Sequence, residues 1–279
     1  MEYAAKICEG RKECLMDKKF RADALIFDVD GVLLDVTRSF PEVIRKTVFE
    51  GWENFCDGVS DVPGYGSGHE YVLKRHGAFN DDYDIAWTML CMAAASGEKL
   101  LSRALPDPDK LSRELESFSG SVPEWVISRY GELVPRDSVR ILCAELYGGK
   151  GYGLHLLEKP MLHGHWKDYP LPIAVYSGRN TLEWELAKES LGWEDFPDEL
   201  VINSDSGVKK PSPEGLEILC ARMGVLSPVF FGDTGSDMQA QQAFGKGRFA
   251  AVGKLLPEAE FRYDTTEEAV RAAIDTLKD

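Results

Sequence analysis

The chain has 279 residues, 44% hydrophobic and 28% charged, which is the balance of an ordinary globular protein with room for about two domains. Its 32 Lys and Arg against 47 Asp and Glu leave a formal net charge of −15. That argues against nucleic acid or an anionic membrane surface as a partner, since both are held by basic patches. A small anionic substrate is still compatible, provided a metal ion or a few focused cations offset the acidic body. The six cysteines (Cys8, Cys14, Cys56, Cys91, Cys143 and Cys220) include no C-x-x-C pair. Cys143 and Cys220 fall on apolar helix faces and read as buried thiols. Cys8 and Cys14 are close enough for a disulfide or half a metal site, but a reducing, cytoplasmic setting is the default. The first twenty residues are polar and charged, so no signal peptide is expected, and no apolar run approaches the roughly 18 residues of a membrane span.

Residues 1–22 have mixed charge and little periodicity and read as a lead-in. Ala24-Leu25-Ile26-Phe27 is then an uninterrupted apolar run, the mark of a short strand buried on both faces. It runs into Asp28 and, two positions later, Asp30, before Gly31 breaks it. Ser39 and Glu42 match a capping box, and Phe40, Val43, Ile44 and Val48 follow at helical spacing. Residues 51–82 are rich in Gly and Asp. Within them Pro63-Gly64-Tyr65-Gly66-Ser67-Gly68 reads as a flexible loop, and it lacks the Gly-Lys-Ser/Thr ending of a nucleotide-binding loop. Asn80-Asp81-Asp82 opens a helix expected to run to about Ala95. Two or three more helices are expected over 107–147, the last capped by Asp137 or Ser138 and ended by Gly148-Gly149.

The pattern then changes to alternation of strand and helix. Strands are expected at 173–176, 200–202, 229–231 and 249–252. Helices between them are opened by Asn180 and Glu183, by Ser212-Pro213-Glu214 and by the residues after Asp233, and a last helix covers 266–277. Such alternation builds a parallel sheet with helices on both faces. The predicted fold class is therefore α/β: a doubly wound, Rossmann-like parallel sheet of about five strands, from residues 23–37 and 166–279. An all-helical cap, residues 38–165, is inserted after the first strand.

Four strand ends carry polar residues, and a parallel sheet gathers them on one edge. The first gives Asp28 and Asp30; the second Ser177, Gly178 and Arg179. Lys209-Lys210-Pro211 follows the third, and Asp233 with Asp237 follows the fourth. A carboxylate at the end of an apolar run asks for a compensating cation.

These segments resemble the four motifs of the haloacid dehalogenase-like hydrolase superfamily, in its phosphatase branch. Asp28-Val29-Asp30-Gly31-Val32 matches the first, Ser177 the second and Lys210 before Pro211 the third. Gly232-Asp233-Thr234-Gly235-Ser236-Asp237 matches the fourth. A helical cap between the first and second motifs is similar to the phosphoglycolate-phosphatase-like group. The resemblance implies a magnesium-dependent phosphatase for a small phosphorylated metabolite. Asp28 and Asp233 would bind Mg2+ directly, the backbone carbonyl of Asp30 would be a third ligand, and Asp237 would act behind them or through water. Asp28 would attack phosphorus, and Asp30 would carry protons to the leaving group and from water. Ser177 and the Gly178 N–H would hold phosphoryl oxygens, and Lys210 would neutralise charge.

Each residue also has a plainer reading. Asp237 suits the first turn of a helix by the dipole alone, and Ser177 suits an N-cap. Arg179 is a candidate for phosphate binding but reads more readily as a solvent-facing or structural arginine. His163 and His165, without nearby Cys or Glu, are expected to be exposed rather than metal-binding. Trp87, Met89 and Met92 at helical spacing read as core. A phosphomutase on the same scaffold is the rival enzyme. A catalytically silent binding protein is the rival of a different class, disfavoured by the intact set of Asp28, Asp30, Lys210 and Asp233.

Overall fold

The computed structural model describes residues 20–149 and 153–277; Cys8, Cys14 and most of the 1–22 lead-in lie outside them. Strand β1 is Ala24–Phe27, and the short β2, Leu34–Asp35, follows a tight turn. Seven helices come next: α1 Phe40–Cys56, α2 Ser67–Arg75, α3 Asp82–Ala95, α4 Leu101–Ala104, α5 Pro108–Leu115, α6 Val122–Tyr130 and α7 Arg136–Gly148. The chain returns through β3, Lys159–Pro160, which pairs antiparallel with β2 as a two-stranded ribbon. The rest alternates: β4 Ile173–Tyr176, α8 Thr181–Leu191, β5 Val201–Ile202, α9 Glu214–Met223, β6 Pro228–Gly232, α10 Gly235–Phe244, β7 Arg248–Val252, β8 Arg262–Tyr263 and α11 Thr266–Asp275.

Six strands form one parallel sheet in the order β5-β4-β1-β6-β7-β8. The sixth, β8, is too short and too polar to stand out in the sequence. The uninterrupted apolar runs are explained by burial on both faces. Leu25 and Phe27 of β1 pack with Val175, Phe231, Trp184 of α8 and Val270 of α11. Ile26 points the other way, to Tyr176, Phe230, Leu216 and Leu219 of α9 and Ala240 of α10. After β1 the chain goes to β4 and β5 on one side, then crosses to β6, β7 and β8 on the other. The carboxyl end of β1 is therefore the topological switch point, where open α/β sheets bind ligands.

The helical insert has a hydrophobic core of its own, around Val43, Ile44, Trp52, Trp87, Met89, Trp125 and Val139. Trp87 and Met89 are fully buried and Met92 nearly so, as their helical spacing predicts. Cys143 and Cys220 are buried free thiols. Among the described residues no helix is long and apolar enough to cross a membrane.

Local expectations fail in instructive places. Ser39 precedes α1 but makes no capping bond; its hydroxyl instead donates to the Glu158 carboxylate at 2.8 Å, a charge-assisted bond between buried groups. Glu42 pairs with Arg45 one turn on. Helix α7 starts at Arg136 with no side-chain cap, so neither Asp137 nor Ser138 serves; the Arg136 pairing with Asp84 anchors that end. Of Ser212-Pro213-Glu214, Pro213 is the N-cap of α9 and Glu214 its first residue. The 63–68 stretch is not wholly loop, since α2 starts at Ser67 and Tyr65 is buried.

Candidate active site

Asp28 sits one residue beyond β1, where its N–H donates to the Phe231 carbonyl at 2.9 Å and so extends the sheet ladder. Its carboxylate is buried. Lys210, from the loop between β5 and α9, places Nζ 2.8 Å from Asp28 Oδ1, an ion-pair contact rather than an aligned hydrogen bond. The same Nζ donates to Asp237 Oδ1 at 2.6 Å. Lys209, its neighbour in sequence, only lines the cavity beside it. Asp237 Oδ2 accepts the Thr234 N–H at 3.0 Å and its hydroxyl at 2.6 Å, closing a capping box at the start of α10. Both oxygens of Asp237 are thus engaged, which fixes Lys210 in turn. The T-x-x-D spacing of Thr234 and Asp237 is a capping signal legible in the sequence.

Asp233, just past β6, completes an acidic group: Asp28, Asp233 and Asp237 each offer a carboxylate oxygen, all within 4.8 Å of one another. Asp233 Oδ1 is buried and has no hydrogen-bond partner among the described residues. Burial, with Asp237 and Asp28 close by, holds the Asp233 carboxyl well above the usual carboxylate range. Burial also pushes Asp28 up to about 7 against the opposing pull of Lys210. Burial opposes the charge on Lys210, but Asp237 and Asp28 outweigh it and hold the ammonium above its ordinary value. Gly31 makes the group possible. Its φ of +71° is left-handed, and any side chain there would overlap Asp233 Oδ2.

Asp30 faces a second buried cation. Arg179 Nε donates to Asp30 Oδ1 at 2.8 Å and Nη2 lies 2.7 Å from the same oxygen. Nη2 also donates to Glu158 Oε2 at 2.9 Å, and Nη1 donates to the Tyr147 hydroxyl at 2.8 Å and the Glu183 carbonyl at 3.1 Å. The Arg179 side chain has no exposed surface. The solvent-facing reading is therefore overturned, and its donors are turned to protein acceptors rather than toward a phosphate. Ser177, buried at the end of β4, accepts the Arg179 N–H on Oγ at 3.2 Å. Gly178 lies against Asn80 of the insert so closely that a Cβ would overlap its side chain.

Two larger cavities meet this edge, beside a small one between Asp30 and Arg179. One, of about 320 Å³, lies between Asp30, Gly31 and Asp233 on the sheet side and Ser67, Glu70, Lys74 and Asp82 on the insert. The other, of about 380 Å³, lies between Ser177, Gly178 and Lys210 and the insert residues Asp84 and Arg136. Lys74 pairs with Asp82 at 2.7 Å. Burial opposes its charge, but Asp82, and beyond it Asp30 and Asp233, outweigh that and hold it above its ordinary value. The sequence alone does not place Lys74, Asp82, Tyr147 or Glu158 at the site, because each reaches it from a helix or linker distant in the chain. His163 and His165 stay outside the acidic group, bonded to Glu267 and Asp195 respectively.

A parallel α/β sheet thus gathers acidic and cationic side chains at its switch point. A profile of the haloacid dehalogenase-like hydrolases matches residues 162–245. Among solved structures, Phosphatase Tt82 from Thermococcus thioreducens is 27% identical, with 89% of this chain and 99% of that one covered and a TM-score of 0.57. A predicted phosphoglycolate phosphatase from Haemophilus somnus 129PT is 14% identical, covering 95% and 100%, with a TM-score of 0.53. A HAD hydrolase of family IA, variant 3, from Entamoeba histolytica HM-1:IMSS is 14% identical, covering 92% and 100%, with a TM-score of 0.52. The last two are likenesses of fold. Comparison with curated proteins finds no match. The profile match and the likeness to the phosphatase from T. thioreducens agree with the resemblance to the haloacid dehalogenase-like hydrolases carried by the four motifs.

Proposed function

We propose that the protein is a magnesium-dependent phosphatase that hydrolyses a small phosphorylated metabolite through an aspartyl-phosphate on Asp28. The observation that carries this reading is the buried Asp28 carboxylate, in contact with Lys210 and grouped with an Asp233 oxygen that lacks a partner. A hard divalent cation suits that donor set. The set is all oxygen, three carboxylates outnumber one lysine, and a buried carboxylate oxygen without a partner is costly unless something binds it. Asp28, Asp233 and the Asp30 backbone carbonyl would hold the ion, with Asp237 behind them. When bound, it supplies charge neutralisation for the approach of an anionic phosphate and polarises a phosphoryl oxygen.

The chain's own residues divide the remaining work. Asp28 attacks phosphorus, held in place by Lys210, which also offsets charge on the transferring group. The Ser177 hydroxyl and the Gly178 N–H take phosphoryl oxygens at the end of β4. Asp30 gives a proton to the departing alkoxide and then takes one from the water that cleaves the intermediate. The insert acts as a cap, and the residues it brings to the two cavities would select the leaving group. Support for the class of reaction also comes from the phosphatase from T. thioreducens.

The test is phosphate release from p-nitrophenyl phosphate and a panel of phosphorylated metabolites, with magnesium and with EDTA. Release that needs magnesium is expected, and release from none of them would sink the reading. Isomerised sugar phosphate that depends on a bisphosphate primer would reveal a mutase instead.

A further inference from the structure

We propose that Arg179 is a positioning residue that aims the proton-carrying carboxyl of Asp30, and that the insert holds Arg179 in that pose from both of its ends. This rests on the acid–base role proposed for Asp30.

Arg179 lies beside a stacked pair of rings of the insert. Its guanidinium carbon is 5.3 Å from the centre of the Phe40 ring, at the start of the first insert helix, and 5.8 Å from that of Tyr147, near the end of the last. Those two rings stack on each other at 4.7 Å. The Tyr147 hydroxyl accepts from Nη1. Glu158, on the linker that returns to the sheet, accepts from Nη2, and Ser39, on the linker that leaves it, donates to Glu158. The outgoing linker, the first helix, the last helix and the return linker therefore all converge on one guanidinium. Nη1 also donates to the Glu183 carbonyl of α8, and the Nε edge goes to Asp30.

The direction of that edge matters. Nε donates to Asp30 Oδ1, and Nη2 lies 2.7 Å from the same oxygen. A planar fork that fills one oxygen leaves Oδ2 to carry the mobile proton and fixes the plane of the carboxyl. In the first half-reaction a bond forms from an Asp28 oxygen to phosphorus. The bond from phosphorus to the leaving oxygen breaks, and its electron pair stays on that oxygen. The same oxygen takes the proton from Asp30 Oδ2, so a neutral alcohol departs and Asp30 is left as a carboxylate. An Asp30 that is free to rotate would still be present but misaimed. A lysine in place of Arg179 has no fork with which to hold one oxygen while reaching Glu158 and Tyr147.

Leaving-group dependence separates aim from stability. p-Nitrophenolate departs without help, whereas phenolate needs a proton. In the wild type, kcat/KM for p-nitrophenyl phosphate over that for phenyl phosphate should be modest. In Arg179→Gln the ratio should rise by about tenfold or more, through loss of kcat/KM on phenyl phosphate, since general-acid help of this kind is worth about 10²–10⁴ in rate. Tyr147→Phe, which keeps the buried charges intact, should raise the ratio by about two- to threefold, and it decides the matter if Arg179→Gln does not fold. Equal losses on both substrates, or an unchanged ratio in Tyr147→Phe and in any folded Arg179→Gln, would overturn the proposal. Asp30→Asn marks the boundary with the underlying reading. If it leaves the ratio unchanged, Asp30 is not the acid and the reading itself fails. If it raises the ratio while the Arg179 and Tyr147 variants do not, only the present inference fails.

Discussion

Two buried cations flank the end of β1, and they hold their carboxylates differently. Lys210 is a compact charge between Asp28 and Asp237, and both partners stand on the sheet or on the helix that follows it. Arg179 is a fork whose partners come from the sheet edge, the return linker and the last helix of the insert. The first group is complete within the α/β half of the molecule. The second exists only when the insert is seated. On the proposed reading, the attacking group is therefore built into the sheet, and the proton-carrying group depends on the part of the chain that selects substrate. This follows from side-chain chemistry, since an ammonium suits a tight pair of carboxylates while a guanidinium can bridge several partners in fixed geometry.

The largest effect should come from Asp28→Asn. It is expected to lower phosphate release on the order of 10⁶-fold with little change in circular dichroism, as removal of a nucleophile does elsewhere. Activity near that of the wild type would misplace the nucleophile. Lys210→Met should break the sheet-side group by leaving Asp28 and Asp237 buried without their cation, at a cost of about 3–5 kcal/mol in denaturant unfolding. A much smaller loss would show that the pair is not a unit. Magnesium should stabilise the same group: at about 100 times its Kd it should add about 2.7 kcal/mol. That gain should vanish in Asp233→Asn and persist in Glu158→Gln, because only the first residue stands beside Asp28. Loss of the gain in both variants would mean that the two groups are not independent. Gly31→Ala should cost about 1–2 kcal/mol from the left-handed backbone alone, and its Cβ should weaken magnesium stabilisation by crowding Asp233.

The smallest effect concerns Glu183, beside the Arg179 group. Its carboxyl accepts from the Tyr83 hydroxyl of the insert at 2.6 Å, and burial raises it from 4.5 to about 7. The folded chain then binds more protons at Glu183 than the unfolded chain does between those values. The contribution of this residue is fully favourable below about 4.5 and falls as pH rises toward 7. Glu183→Gln should therefore flatten the pH dependence of stability in that window. An unchanged slope would show that Glu183 is already ionised in the fold.

The α/β half was legible in the sequence because its signals are local. An apolar run, a breaker and a polar residue within ten positions mark each main strand end, and the parallel topology then gathers Asp28, Ser177, Lys210 and Asp233 without further information. The capping boxes of Asn180 with Glu183 and of Thr234 with Asp237 are local in the same way. Strand β8 and the β2–β3 ribbon were not legible, since two residues cannot show a period. The insert was readable as helices but not as a surface. Asn80 against Gly178, Lys74 beside Asp82 and the meeting of Ser39, Tyr147 and Glu158 at Arg179 depend on how helices lie across the sheet. The sequence by itself determined which residues stand at the strand ends, because strand period and breakers act over a few residues. Only the tertiary structure decided that Arg179 is buried and turned to Asp30, because its partners lie as far as 149 positions along the chain and are brought together by packing alone.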